Sequence, residues 1–413
     1  MYDVIIIGAG ASGVMCALAL KEKNKKLKVL LLEKNDKIGK KLSITGNGHC
    51  NLGNINTAIS NYNSSSNLDY FEKKLAIKDF DFLNNLECSN NLENYYDYLR
   101  HFGVLLKKEK EGLYPYSMQA ISVCKSFERY LNYLNIEVRY NFDVINVIKE
   151  NEKFIINDEL KCNKVVIATG GKSYSKTGST GAGYSILKKF GHNITDLYPS
   201  LTYLKTDYKY IKDLQGVRAN AVVNLSVDGY VEDREEGQVQ FTKDALSGIC
   251  IFNLSRNVGK YLKENKKINI IIDLVPNYNE LELLDYIRTF SSYLVSDTLS
   301  CVINNKIANV IVKELKLGSK KVKELNQNEL ESICFTLKNM NFNINGLGDF
   351  DTAQVTSGGV RLDEFTQNLE SKKCKGLYAL GEVLDVDGKC GGYNLSWAFT
   401  SAIVVAEGIV IKK

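Results

Sequence analysis

Residues 2–13 read YDVIIIGAGASG, and residues 28–33 read KVLLLE. The first stretch is a short apolar run that ends in glycines at 8, 10 and 13. Such a run suits a strand buried on both faces of a parallel sheet. Between the two stretches, Val14, Met15, Ala17, Leu18 and Leu20 predict a helix over 12–23. Strand, glycine turn, helix and strand make the opening βαβ unit of a dinucleotide-binding fold. Gly8 permits the tight turn, Gly10 lets backbone approach a pyrophosphate, and Gly13 allows close helix–strand packing. The helix start at Ala11 and Ser12 supplies free N–H groups and a positive dipole end. Glu33 stands twenty residues after Gly13, at the end of the second strand, where a carboxylate can accept the hydroxyl protons of an adenosine ribose. A lone GxGxxG is a weak signal. Here it follows a strand, opens a helix and is followed by the acid, so the fold class reads as α/β.

Working outward, residues 137–148, 153–157 and 164–168 predict strands, the last running through Ala168 into Thr169-Gly170. Helices are expected over 70–86, 118–134 and 183–190. After His192 the composition changes. Residues 198–240 read as β-rich, 278–332 as helical, and 353–362 (AQVTSGGVRL) as strand–turn–strand. Residues 376–381 predict a last buried strand and 392–410 a last helix. The two ends of the chain therefore look like one Rossmann-like domain, 1–192 with 350–413. Its interruption divides into a β-rich part (193–270 with 333–349) and a small helical part (271–332).

A chain of 413 residues exceeds one small core, and 44% hydrophobic with 24% charged residues is an ordinary globular balance. A net charge of +5 does not require nucleic acid, although it leaves an RNA substrate open; stable DNA binding is not expected. The ten cysteines show no CxxC pair, and the three histidines lie far apart, so no metal site is expected. Scattered thiols fit a reducing cytoplasm. The N-terminus lacks the basic leading region of a signal peptide, and no stretch reads as the roughly 18 apolar residues of a membrane span.

Two further motifs carry chemistry. Residues 39–54 read GKKLSITGNGHCNLGN. His49-Cys50 raises a nucleophile reading, but adjacent loop residues do not readily reach catalytic hydrogen-bond geometry. The loop follows the Glu33 strand, and its Thr45-Gly46-Asn47 core offers small, hydrogen-bonding backbone to a cofactor. Of Lys40 and Lys41, one is read as a phosphate neighbour and one as a solvated charge. Residues 381–394 read GEVLDVDGKCGGYN. The Gly391-Gly392 pair opens the last helix, where backbone N–H groups could face a flavin ring. Asp385 and Asp387 lack the further oxygen ligands of a calcium loop. Tyr393 and Asn394 are candidates to position substrate or donate a proton, with helix capping as the bland alternative for Asn394. Arg218 is a weaker candidate for an anionic substrate. The closing strand and helix at the C-terminus favour FAD over a nicotinamide as resident cofactor.

Together, the 39–54 loop, ATGGKSYSKTGSTGAGY (168–184), FTKDALSGICIFNLS (241–255), AQVTSGGVRLDE (353–364) and the run from Gly376 to Ala402 resemble the HI0933-like, or BaiN/RdsA-type, family of bacterial flavoproteins. The resemblance runs in order along essentially the whole chain. It implies a FAD domain with an inserted β-barrel-like domain and a small helical domain. It implies FAD contacts from Gly8, Gly10, Ser12, Gly13, Glu33, Lys34, the 40–51 loop including Asn51, Val144, Thr169-Gly170, Gly381-Glu382 and Gly392-Tyr393-Asn394. It further implies NAD(P)H as a transient electron donor and reduction of an activated C=C bond, in an enone or in a uridine of large-subunit ribosomal RNA. Oxygen-dependent oxidation of an aminoacetone-type amine is an alternative, as is non-catalytic flavin or RNA binding. The family more often carries Arg at position 49, Gly at 245 and Thr at 390, and many members have His where Lys243 stands; Lys243 is a third catalytic candidate beside Tyr393 and Asn394.

Overall fold

The computed structural model describes residues 1–77 and 92–411. The chain forms two compact units, Met1–Tyr198 with Gln354–Lys413, and Pro199–Ala353. In the first unit the parallel strands run in the order Glu137–Arg139, Val29–Leu32, Tyr2–Ile7, Leu160–Ile167. The long strand Leu160–Ile167 has two further partners on its other side. Its first half pairs antiparallel with Lys153–Ile156, and its second half pairs parallel with Leu377–Ala379. Chain start and chain end thus meet in one sheet. Ile7 lies level with Leu32 and with Ile167. The strands therefore stop at one height, which gathers Gly8, Glu33 and Ala168 along a single edge.

The helices Ala11–Lys23 and Tyr393–Ile411 pack against each other. The second is apolar on nearly all sides, with Trp397, Phe399, Ala402, Val405 and Ala406 in the core. Contrary to the sequence expectation, this helix is long and apolar enough to pass as a membrane span by length and composition; 72% of its apolar window is buried inside the protein. An apolar perimeter here reflects burial on every face.

Other expectations shift locally. The strand expected over 137–148 breaks after Arg139 and resumes at Val147–Glu150. The break has a cause, because the N–H groups of Asn141 and Phe142 donate to the carbonyls of Asn35 and Glu33 instead of continuing a ladder. The strand–turn–strand expected over 353–362 is one strand, Val355–Ser357, after which Val360 bridges singly to Ile194 and Leu384. The helix expected over 70–86 is seen as Asp69–Leu75, and residues 78–86 of that expectation lie outside the described residues.

The second unit is built on a closed barrel of strands ordered Leu204–Thr206, Ala245–Ser247, Tyr230–Phe241, Arg218–Val227, Ile268–Asp273 and Met340–Leu347. The helices Glu280–Thr289, Asn305–Glu314 and Gln327–Lys338 share one apolar cluster with the barrel, through residues such as Leu283, Ile307, Ile333, Ile270 and Phe342. The helical part (271–332) set apart in the sequence reading therefore has no separate core.

In the first unit, the segments flanking the insertion are clasped together. Arg361 N–H donates to Asn193 O, and Gly359 N–H donates to Thr195 Oγ1 at 2.9 Å. Buried His192 joins Glu364 through Nδ1 and Ser371 through Nε2, each at 2.8 Å, and its ring stacks on Phe365. Burial holds the His192 imidazole below its usual range even beside a carboxylate. Burial pushes Glu364 up, but hydrogen bonds from Lys373, Asn193 and His192 outweigh it and hold the carboxyl at about 2. The fold thus prefers neutral His192 and ionised Glu364, while the unfolded chain protonates both more readily. Stability is complete above the ordinary imidazole value of 6.5 and falls as pH drops below it. A second loss follows between the ordinary glutamate value, roughly 4.3, and the folded value. Thermal midpoints between pH 8 and pH 5 are expected to fall, and His192→Gln to flatten that first decline while leaving the more acidic one.

Candidate dinucleotide and flavin site

The three fingerprint glycines differ in what their surroundings allow. At Gly8, φ is +105°, and a Cβ would lie 2.5 Å from the carbonyl oxygen of Ala168. At Gly13 a Cβ would lie 1.9 Å from the carbonyl oxygen of Gly8. Protein packing alone excludes side chains at both. Gly10 has φ −75°, and a Cβ there would meet nothing within 4 Å. Protein packing therefore does not account for a glycine at this position. The helix Ala11–Lys23 has no side-chain cap and no acid in its first turn, the condition of a helix N-terminus able to accept an anion.

Glu33 is buried beside this turn. One carboxylate oxygen accepts the Ala9 N–H at 2.9 Å, and the other accepts the Asn35 N–H at 2.9 Å. The 141–142 backbone bonded to residues 33 and 35 brings the segment of buried Val144 to the same edge. Lys34 Nζ reaches Thr180 Oγ1 at 3.2 Å, and Asn35 Nδ2 donates to Thr177 O at 3.2 Å. The glycine-rich run 178–183 is therefore a support for the Glu33 strand end, a role not assigned from sequence. Positive φ at Gly178 and Gly181 shapes that support.

The C-terminal motif is built onto the fingerprint. Gly381 has φ +72°, and a Cβ there would lie 2.8 Å from Ser12 Oγ. Its N–H donates to Ser401 Oγ at 3.0 Å, and its carbonyl accepts the Trp397 indole N–H at 3.1 Å. Lys41 Nζ pairs with Glu382 Oε2 at 3.0 Å. Glu382 Oε1 accepts the Thr356 N–H at 2.9 Å, and Thr356 Oγ1 accepts the N–H groups of Lys172 and Ser173. One polar network thus ties four segments together. Lys40 turns instead to exposed Asp36, at 2.9 Å.

The 39–54 loop meets the Gly-Gly pair. A Cβ on Gly392 would lie 2.6 Å from Asn51 Oδ1 and 2.5 Å from Gly53 O. Asn54 Nδ2 donates to Gly391 O at 3.1 Å. Gly46 and Asn47 are left-handed, with φ +57° and +53°, which allows the Cys50 N–H to close back on Thr45 O at 3.0 Å. Among the described residues, the buried oxygens Asn51 Oδ1 and Thr169 Oγ1 have no hydrogen-bond partner. Orphan buried acceptors are rare unless something else satisfies them.

The catalytic candidates separate. Tyr393 is buried edge-on to Tyr62, with ring centroids 5.9 Å apart, and its carbonyl accepts the Tyr62 hydroxyl. Asn394 does not cap the helix. Its Oδ1 accepts the Gly388 N–H and its Nδ2 donates to Gly388 O, both at 2.8 Å, so the amide clamps the preceding turn. Lys243 is an exposed turn residue of the inserted unit, between the strands ending at Phe241 and starting at Ala245. Arg218, also exposed, opens a strand of that unit. His49 is exposed and lies 3.0 Å from Met118 O through Nδ1. Cys50 is fully buried, and burial pushes its thiol up to about 12, which suppresses the thiolate a nucleophile needs. Asp385 accepts the Ser65 N–H at 3.1 Å, and Asp387 accepts the Ser357 hydroxyl at 3.0 Å. Both acids hold loops. Among the described residues, no group of three His, Cys, Asp or Glu side chains is placed to hold a metal ion.

A Rossmann edge closed by a C-terminal strand and helix, with a barrel unit inserted in the chain, defines a flavoprotein oxidoreductase. The chain belongs to the HI0933-like family, whose description reads "HI0933-like protein Rossmann domain" and whose profile matches residues 2–408. It is 31% identical to a 3-dehydro-bile acid delta(4,6)-reductase of Clostridium scindens, over 98% of each chain. It is 26% identical to a ribosomal RNA dihydrouridine synthase of Escherichia coli, over 100% of this chain and 99% of that one. It is 28% identical to the ribosomal RNA dihydrouridine synthase of Haemophilus influenzae, over 98% of each.

The glycine geometry makes two fingerprint variants distinguishable. Gly10→Val is expected to leave the thermal midpoint of flavin-free protein within a few degrees of wild type while abolishing flavin retention, read as the ratio of visible to ultraviolet absorbance. Gly13→Val is expected to destabilise the flavin-free fold itself, by at least the roughly 1–3 kcal/mol of an overpacked core. For the polar network, Lys41→Met and Glu382→Gln are each expected to weaken flavin retention. The double variant should lose less than the sum of the two, because each single change already breaks the shared pair.

Proposed function

We propose that this protein is an FAD-dependent reductase that takes its electrons from NAD(P)H and saturates a C=C bond conjugated to a carbonyl, in an enone or in a uridine of large-subunit ribosomal RNA. End-to-end similarity to a delta(4,6)-reductase and to two dihydrouridine synthases carries the reading. By their names, both kinds of relative hydrogenate a C=C bond activated by a neighbouring carbonyl.

The residues fit FAD on the protein's own geometry, since Gly10 has open space that packing does not explain and the helix behind it is uncapped. In this reading the first turn at Ala11, Ser12 and Gly13 holds the pyrophosphate, and Glu33 holds the adenosine ribose. Thr45, Gly46, Asn47 and Asn51, with Thr169-Gly170, border the path between. Lys41, Glu382 and Thr356 keep the segments on either side of that path in register. In the same reading the backbone N–H groups of Gly391 and Gly392 would serve the flavin end, where fixed donors favour negative charge. Bound FAD supplies the hydride donor. Buried Tyr393 packs beneath the Gly-Gly turn and holds its shape. Asn394 clamps the backbone at Gly388, and these engagements favour positioning over proton donation for both residues.

The test is anaerobic. NADPH is added to purified flavin-loaded protein, and visible absorbance is followed before and after addition of a conjugated enone or of ribosomal RNA from a strain lacking the gene. Bleaching by NADPH, recovery on addition of substrate, and appearance of the saturated product support the reading. Rapid peroxide formation with a primary amine in air, without bleaching by NADPH, overturns it in favour of an amine oxidase.

A further inference from the structure

A cavity of about 790 Å³ opens within the inserted unit, walled on one side by the barrel strands Arg218–Val227 and Tyr230–Phe241 and on the other by the segment 274–286. All of its lining residues belong to this unit. Its size is that of small-molecule sites in general. The wall has three chemistries. Leu274, Val275 and Leu283 are apolar. Tyr278 and Tyr286 bring aromatic rings, both well exposed for tyrosine at 57% and 41%. Glu236 and Glu282 bring carboxylates, and no Lys or Arg is among the lining residues.

That combination is selective. The chain as a whole is net positive, at +5, yet the residues that line this cavity include two acids and no base. Lys338, which donates to the carbonyls of Val275 and Tyr278, is paired with Asp273 at 2.7 Å. An anion or a phosphate-bearing ligand would meet two like charges. A cation would meet two carboxylates and two tyrosine side chains, residue types that together recognise ammonium groups. One oxygen of Glu282 accepts the Asn279 N–H at 2.8 Å as part of a helix-capping box, which fixes this side chain at the cavity wall. Arg218 lines a smaller neighbouring cavity of about 210 Å³ that shares Asn220, Leu274 and Val302 with the first. The Arg218 side chain thus belongs to the neighbouring cavity and is not among the residues that line the larger one. We propose that the inserted unit carries a binding site for an organic cation with an apolar body, an aryl- or alkyl-ammonium compound, held by Glu236, Glu282, Tyr278 and Tyr286.

Flavin-loaded full-length protein is titrated calorimetrically with benzyltriethylammonium, with benzyl alcohol as the neutral probe and with phenylacetate as the anionic one. The cation is expected to bind at least about tenfold more tightly than either control, the scale of one charge-assisted contact with an aromatic face. The variant Glu236→Gln/Glu282→Gln is expected to lose that preference. Glutamine at 282 can keep the capping bond, and residue 236 is exposed, so the fold is retained and a thermal melt verifies it. Cys301 is an exposed thiol on the same wall, and its maleimide labelling is expected to slow at saturating cation. Equal binding of cation and anion, or no cation binding at millimolar concentration, overturns the proposal. So does tight cation binding that neither the double glutamine variant nor Cys301 labelling registers.

Discussion

The first unit depends on the absence of a side chain at Gly13. A Cβ at that position would sit 1.9 Å from the carbonyl oxygen of Gly8 and 3.2 Å from the Ala168 side chain. Without it, the helix Ala11–Lys23 can drop directly onto the turn that starts it. That contact aims the helix N-terminus along the sheet edge and brings Ser12 against Gly381. The buried closing helix Tyr393–Ile411 packs against the same helix. One missing methyl group therefore positions the anion-binding end, the C-terminal motif and the core helix together.

Polar bonding does the second part of the work. Lys41, Glu382, Thr356 and Ser173 come from four separate stretches of chain, and none of them would hold its loop alone. Their bonds are partly shielded from water, so each counts for more than a surface pair would. A comparable clasp at His192, Glu364 and Ser371 joins the segments on either side of the insertion. It lets about 155 residues, Pro199–Ala353, be inserted without loosening the sheet that they interrupt.

Much of the candidate site's framework was legible because its elements are local. GAGASG, the Glu33 strand end and the Gly-Gly pair before the last helix each carry their chemistry within a few residues, and each stands where the local pattern put it. Misread elements had non-local causes. Residues 140–146 have the composition of a strand, but the N–H groups of Asn141 and Phe142 go to Asn35 and Glu33, and those of Ile145 and Asn146 go to Asn157 Oδ1. Asn394 has the chemistry of a cap, but the Gly388 backbone lies closer at hand. The closing helix reads as apolar enough for a membrane, and burial inside the protein, in large part against the fingerprint helix, accounts for that.

The sequence by itself determined the βαβ opening, the reunion of the two chain ends and the likeness to the HI0933-like family, because strand, turn and helix signals are set by neighbouring residues. Tertiary structure alone decided which polar groups are engaged. It buried Cys50 and so removed it as a nucleophile, and it paired Lys41 with Glu382 and left Lys40 outside. It also committed Asp385 and Asp387 to loop bonds, and it set two acids and two tyrosines around one cavity of the inserted unit. The physical reason is that hydrogen bonding and desolvation depend on atoms brought close in space, and those atoms come from stretches tens to hundreds of residues apart.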